Sequence, residues 1–267
     1  MGLYEEGIQQ AKEASGIFER LGDTAEQGQC LTFLAFVLYE DEQLDAAEEA
    51  TSCAINLLSG KDEQFKVCQC HRVLGNIYRS KGETEMAVHH FELALRIASS
   101  FDWPNELFWI CFSLAQLFFD QDKFDDAHVH IERVKSHAAN NTYHLGRTMH
   151  LQANIWYRQD RLEQAKSEGL RAADVFEKLG AARDLEVCRE LLQWIDDKMN
   201  GQVASDEPDR TATVSSREQC YQSCLLTLRV QTGSLNPNNG VCLDFFRCIL
   251  PQVTSASSLY PVSYWIL

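Results

Sequence analysis

Residues Leu34-Ala35-Phe36-Val37-Leu38 recur 40 positions on as Leu74-Gly75-Asn76-Ile77-Tyr78, and 40 further on as Leu114-Ala115-Gln116-Leu117-Phe118. A last step of 38 gives Gln152-Ala153-Asn154-Ile155-Trp156. Thirteen residues after the first residue of each block stands an alanine: Ala47, Ala87, Ala127 and Ala165. A chain that repeats at such a period folds as a stack, because each unit buries its apolar face on its neighbours. Such solenoids present a long concave surface and seldom carry out chemistry.

Within each unit the period is helical. Ile77, Tyr78, Ala87, Phe91, Ala94 and Ala98 recur at steps of three and four on either side of Lys81-Gly82, as the apolar stripes of two amphipathic helices do. The expected turns are Asp41-Glu42-Gln43, Lys81-Gly82-Glu83, Gln121-Asp122-Lys123 and Gln159-Asp160-Arg161. Each unit therefore reads as a helical hairpin. A small residue where two helices cross lets their axes approach to about 8–9 Å. A large side chain there would overpack the core at about 1–3 kcal/mol. The aromatics and alanines are expected to be core.

The second unit reads Leu74-Gly75-x-x-Tyr78, then Gly82, Ala87, Phe91 and Ala94. It resembles the tetratricopeptide repeat. The other units keep the pattern in part, with Ala35, Ala115 and Ala153 for the glycine, and Thr51, Ile131 and Gly169 for the phenylalanine. The spacing of about 40 exceeds that family's usual period. It is similar to the longer variant of kinesin light chains and of the sensor arrays of nucleotide-binding signalling proteins. The extra residues sit between units, as in Ser59-Gly60-Lys61-Asp62-Glu63-Gln64. The resemblance implies an all-α fold: a right-handed superhelical α-solenoid of stacked helical hairpins, here with a non-repeat C-terminal tail.

A second match concerns the ends. Ile17-Phe18-Glu19-Arg20-Leu21-Gly22 returns 158 residues later as Val175-Phe176-Glu177-Lys178-Leu179-Gly180, and the same offset carries Cys30 onto Cys188. The array is thus expected to open on a lone second helix and to close on a lone first helix, ten helices in all. The expected boundaries are a lone helix over 3–21, hairpins over 24–58, 64–100, 105–138 and 143–179, a lone helix over 184–199, and a tail over 201–267. An array that starts inside a hairpin leaves an apolar face open. The expectation is that the chain is a piece of a longer protein, or that another chain covers this end.

A net charge of −15 argues against binding nucleic acid through its phosphates and against an anionic membrane surface. It favours solubility. The acidic start Met1-Gly2-Leu3-Tyr4-Glu5-Glu6 lacks the apolar stretch of a signal peptide. No apolar run reaches membrane-spanning length. A cytoplasmic protein is expected, with the nucleus as the other option. Six of the ten cysteines lie in expected helices (Cys30, Cys53, Cys68, Cys70, Cys111 and Cys188) and read as small core residues. Cys68-x-Cys70-His71, His89-His90 and His128-x-His130 lack the four-residue step that aligns metal ligands on a helix. No metal or cofactor is expected.

Four of the five prolines fall after residue 201. The stretch over 205–217 reads as a disordered linker. Cys220, Cys224, Cys242 and Cys248 form the one zinc-like arrangement, with irregular spacing. Sequence arising from a gene-model error is the other reading of this tail.

In a tetratricopeptide array the first helices line the concave groove, with four positions on each pointing inward. That phase selects Gln29, Thr32, Phe36 and Tyr39, then Gln69, Arg72, Asn76 and Arg79. It continues with Trp109, Phe112, Gln116 and Phe119, then Arg147, His150, Asn154 and Tyr157. None of these sixteen is Asp or Glu, although the chain has 39 acidic residues. Three arginines offer paired donors to carboxylate or phosphate, asparagines can hold a peptide backbone, and the aromatics are apolar anchors. Some family members clamp the terminal carboxylate of chaperone tails. Arg72, Asn76 and Arg147 fit that clamp, whereas Ser113 and Leu151 replace an Asn and a basic residue.

The expected function is a non-enzymatic interaction module or scaffold. It would bind an extended acidic or phosphorylated peptide, as part of a larger signalling protein. The alternatives are self-assembly through the exposed N-terminal helix and a chaperone-tail co-chaperone. No glycine-rich phosphate loop, HExxH or nucleophile elbow occurs.

Overall fold

The computed structural model describes residues 2–60, 62–138 and 142–201. These residues form ten α-helices. They are α1 (Gly2–Leu21), α2 (Thr24–Glu40), α3 (Leu44–Leu58), α4 (Gln64–Lys81), α5 (Thr84–Phe101), α6 (Pro104–Asp120), α7 (Phe124–Ala138), α8 (Thr142–Arg158), α9 (Leu162–Leu179) and α10 (Ala182–Met199). No strand occurs among the described residues. The linker over 205–217 and the Cys220 to Cys248 arrangement lie outside them. The chain divides into two compact units at the Lys81-Gly82 turn, inside the hairpin expected over 64–100. Unit 1 holds α1–α4 and unit 2 holds α5–α10.

Local chemistry sets the helix ends. Asp23 caps α2 by accepting from the Glu26 backbone N–H at 3.1 Å. Pro104 opens α6 at a position where its missing N–H costs nothing. All four hairpin turns share one geometry. Their second residue is left-handed: Glu42 (φ 62°), Gly82 (φ 77°), Asp122 (φ 58°) and Asp160 (φ 61°). In three of them paired backbone bonds close the last helical turn, as in Gln43 N to Leu38 O at 2.9 Å and Arg161 N to Trp156 O at 2.8 Å. The 158-residue match has the same physical meaning. Gly22 and Gly180 are both left-handed, and the following residues donate to Phe18 and Phe176.

Only the second turn uses glycine, for which a left-handed backbone is unstrained. A glutamate there costs about 1–2 kcal/mol of conformational energy, partly offset by its lower unfolded-state entropy. Glu42→Gly should therefore raise stability by up to about 1 kcal/mol, read as a higher urea midpoint. A lower midpoint would refute this reading of the turn.

The repeated alanines Ala47, Ala87, Ala127 and Ala165 are all fully buried. In unit 1, Ala47 packs with Ala11, Leu34, Val37, Leu38, Leu74 and Ile77. In unit 2, one cluster joins Phe108, Phe112, Ala115, Ala127, Ile131, Leu151 and Ile155. A second joins Tyr143, Met149, Ala172, Phe176 and Cys188. Thr51, Ile131 and Gly169, the substitutes for the repeat phenylalanine, are buried like Phe91. Two glycines six residues ahead of the repeat blocks bring helices together. A Cβ on Gly28 would lie 2.8 Å from Leu58 Cγ, and one on Gly146 would lie 2.8 Å from Val175 Cγ1.

Surface ion pairs link three of the first helices, α4, α8 and α10, to the turn or helix of the hairpin before. Lys81 meets Asp45 and Glu48 at 2.5 and 2.6 Å, Arg158 meets Asp122 at 2.6 Å, and Lys198 meets Asp160 at 2.9 Å. Each contributes at most about 1 kcal/mol, so they serve register more than stability. Cys68, Cys70, Cys111 and Cys188 are buried and Cys30 is half-buried. Burial pushes the Cys70 and Cys111 thiols up to about 11 and the Cys188 thiol to about 12, which leaves them unreactive. Cys53 departs from the core expectation. It is exposed, because the buried stripe of α3 runs through Ala47, Ala50, Thr51, Ala54 and Leu58 and leaves it on the outer side.

Candidate peptide-binding face

The inward positions lie on α2 and α4 of unit 1 and on α6 and α8 of unit 2. Twelve of the sixteen are buried, and Tyr39, Asn76, Arg79 and Asn154 are half-buried. An amphipathic surface helix buries one stripe. Here α6 buries thirteen of its seventeen residues and α8 twelve of seventeen, against three of eighteen in α10. Only helices packed on several sides reach such proportions.

In unit 1, Thr32 is committed to structure. Its hydroxyl donates to Gly28 O at 2.8 Å and lies 3.1 Å from Cys70 Sγ, joining α2 to α4. Tyr39 accepts from Ser80 Oγ at 3.5 Å. Gln29, Phe36, Gln69 and Arg72 are buried, while Asn76 and Arg79 reach the half-buried rim. Lys66, one turn before Gln69, is buried with its ammonium 3.2 Å from Glu26 Oε1 and 3.4 Å from Ala25 O.

In unit 2 the structure joins Trp109, Phe112 and Arg147. The Arg147 guanidinium lies 4.8 Å from the Phe112 ring centroid and 5.3 Å from that of Trp109, and the residue is 1% exposed. A cation over aromatic faces gains about 0.5–2 kcal/mol. Arg158 covers Phe119 at 5.8 Å, and Lys198 covers Tyr157 at 4.9 Å. Asn154 turns back along its own helix, donating to His150 O at 3.0 Å. Gln116 is buried. The aromatics selected as ligand anchors thus already have partners: cations of the next first helix cover Phe112, Phe119 and Tyr157.

Four contributors fall outside the sixteen positions. His144 stacks on Phe108, with centroids 3.7 Å apart and planes within 6°, and meets Trp109 edge-on at 5.1 Å. Asp184 on α10 accepts from Tyr143 Oη at 2.9 Å. Burial raises the Asp184 pKa, and Arg147 pulls it back down. Burial and the Arg147 charge together hold His144 at about 4 and His150 at about 3. His144, His150 and Asp184 thus all feel the Arg147 charge. His144 and Asp184 occupy the repeat position of Glu26 and Lys66, which a four-position phase starting three residues later omits. At the chaperone-clamp positions, Ser113 and Leu151 are both buried and supply neither an amide nor a cation.

No protein-family model matches the chain, and no curated protein matches it. Solved structures do. The fold is a tetratricopeptide-like helical repeat. Aspartyl phosphate phosphatase F from Bacillus subtilis is similar with a TM-score of 0.65 at 14% identity, over 96% of this chain and 67% of that one. BtubC (BKLC) from P. vanneervenii gives 0.56 at 16% identity, over 77% and 96%. A Rap protein complexed with Competence and Sporulation Factor gives 0.52 at 17%, over 73% of this chain and 59% of that one. Identities this low establish the tetratricopeptide-like fold and leave function to the side chains. Among the described residues no helix is long and apolar enough to cross a membrane.

Proposed function

We propose that this chain is a non-enzymatic protein-interaction module of the long tetratricopeptide type, whose inward positions, in each unit taken by itself, hold an extended peptide segment rich in carboxylate or phosphate. The observation that carries this reading is the absence of any carboxylate from the sixteen inward positions of a chain of charge −15. The Arg147 charge, which His144 and His150 both feel, supports it. So does the likeness to a Rap protein whose structure was determined with a bound factor. In unit 1, half-buried Asn76 and Arg79 meet the ligand, with Arg72 behind them as a fixed positive charge. In unit 2, Asn154 offers the polar rim, and Arg147, held by Trp109 and Phe112, sets the field. A guanidinium recognises carboxylate and phosphate through paired donors, at about 1.5–3 kcal/mol per charge-assisted bond.

The full chain should capture acidic peptides from an array that varies acidic content, and capture should weaken as salt rises. Arg79→Ala should reduce affinity about tenfold, the loss of one charge-assisted bond, measured where far-UV circular dichroism shows both proteins folded. Capture indifferent to charge and salt would reject an anion-reading wall and move attention to the outer helices.

A further inference from the structure

We infer that His144 makes unit 2 acid-sensitive: an imidazole wedged between α6 and α8, beside a guanidinium already seated in the same seam, turns acidification into loss of α6–α8 packing. This inference does not depend on the peptide-binding reading.

The geometry leaves little room for a second cation. His144 lies flat on Phe108, edge-on to Trp109, and is buried. Arg147 follows one helical turn later and fills the faces of Trp109 and Phe112. Protonating the imidazole places two positive charges on adjacent turns of α8, against the rings of Phe108, Trp109 and Phe112. The other charged or titratable groups around α8 are few. His150, on the same helix, is held neutral in the same way. Glu106 stands at the matching repeat position in the first turn of α6. On α10, Asp184 holds Tyr143 and feels both Arg147 and Arg183. α9 meets α8 here through Val175 and Phe176, against Gly146. α7 meets it further along, where His128 lies 3.2 Å from Gln152.

The sign follows from where the proton binds. Folded, His144 is held at about 4; unfolded, it returns to about 6.5. The unfolded chain therefore takes up a proton that the folded chain refuses. Stability is full above about pH 6.5 and declines as the pH falls toward 4. Asp184 acts in the opposite sense: its raised pKa favours the fold in acid. A comparison of variants at the His144 position separates the two.

Among the described residues the tryptophans are Trp103, Trp109, Trp156 and Trp194, and all four lie in unit 2. In a full-length Trp265→Phe background, tryptophan emission during urea unfolding thus reports unit 2. Between pH 7.5 and 5.5 the unfolding constant should rise, with about tenfold of the rise due to His144. His144→Phe keeps the stack and should remove that tenfold. An equal rise in both proteins, or no rise in the parent, overturns the inference. Should the variant not fold, histidine proton NMR of the parent decides the matter. A His144 resonance, assigned through contacts to Phe108, that stays neutral down to pH 5 supports it. Titration near pH 6.5 overturns it.

Discussion

Phe176→Ala should lower the stability of unit 2 by about 3–5 kcal/mol, the usual loss for emptying a fully enclosed phenyl site. Phe176 has no exposed surface. Its ring sits 5.5 Å from that of Tyr143 and packs with Met149, Ala172, Ala181 and Cys188. It therefore joins α8, α9 and α10 at one point. Its backbone carbonyl also closes the Gly180 turn by accepting from Ala181 N at 2.9 Å. That bond survives the substitution, so the effect isolates the side chain. Urea unfolding followed by tryptophan emission measures it. A loss under about 1 kcal/mol would show that the neighbours collapse into the space and that the three helices are not held through this ring.

The second large effect is at Gly146. On an exposed helix, replacing glycine by alanine stabilises by about 0.8–1 kcal/mol. Here the added Cβ would stand 2.8 Å from Val175 Cγ1 and 3.0 Å from Phe176 Cε1. Valine is stiff about its first torsion, and the phenyl ring is enclosed, so neither neighbour yields cheaply. Gly146→Ala should therefore destabilise by about 1–3 kcal/mol despite the gain in propensity. Gly146→Ala with Val175→Ala should recover part of that loss, giving a coupling of about 0.5–3 kcal/mol. Simple additivity of the two substitutions, or a stabilising Gly146→Ala, would show that α8 and α9 are not in contact at this glycine. The same close approach occurs at Gly28, where the neighbour is Leu58.

These two sites differ in how visible they are in the chain. Phe176 belongs to a match of six residues, Val175 to Gly180 against Ile17 to Gly22, so its place at the end of a second helix is legible by alignment of the chain with itself. Gly146 is not. Its repeat equivalents are Gly28, Cys68 and Phe108, and no one-dimensional pattern says that two of the four are pressed against a partner helix. The turns are a middle case. Gly82 marks a left-handed residue, and register alone carries that geometry to Glu42, Asp122 and Asp160. Composition would not have placed them there.

The candidate wall divides in the same way. A helical period determines which residues share a face, so Trp109, Phe112, Arg147 and His150 could be assigned to one side of their helices from spacing alone. What those side chains touch depends on the offset and axial shift of the next helix, and these are three-dimensional quantities. Packing decided that Arg147 lies across Trp109 and Phe112, that Arg158 covers Phe119, and that His144 fills the seam ahead of them. It also decided that α10, outside the four hairpins, brings Asp184 into Arg147's field. The sequence by itself determined the all-α repeat and its alanine crossings, because period and residue size are local properties of the chain. The tertiary structure alone decided burial, the aromatic–cation pairs and the burial that depresses the histidines, because these arise from groups on successive helices that only packing brings together.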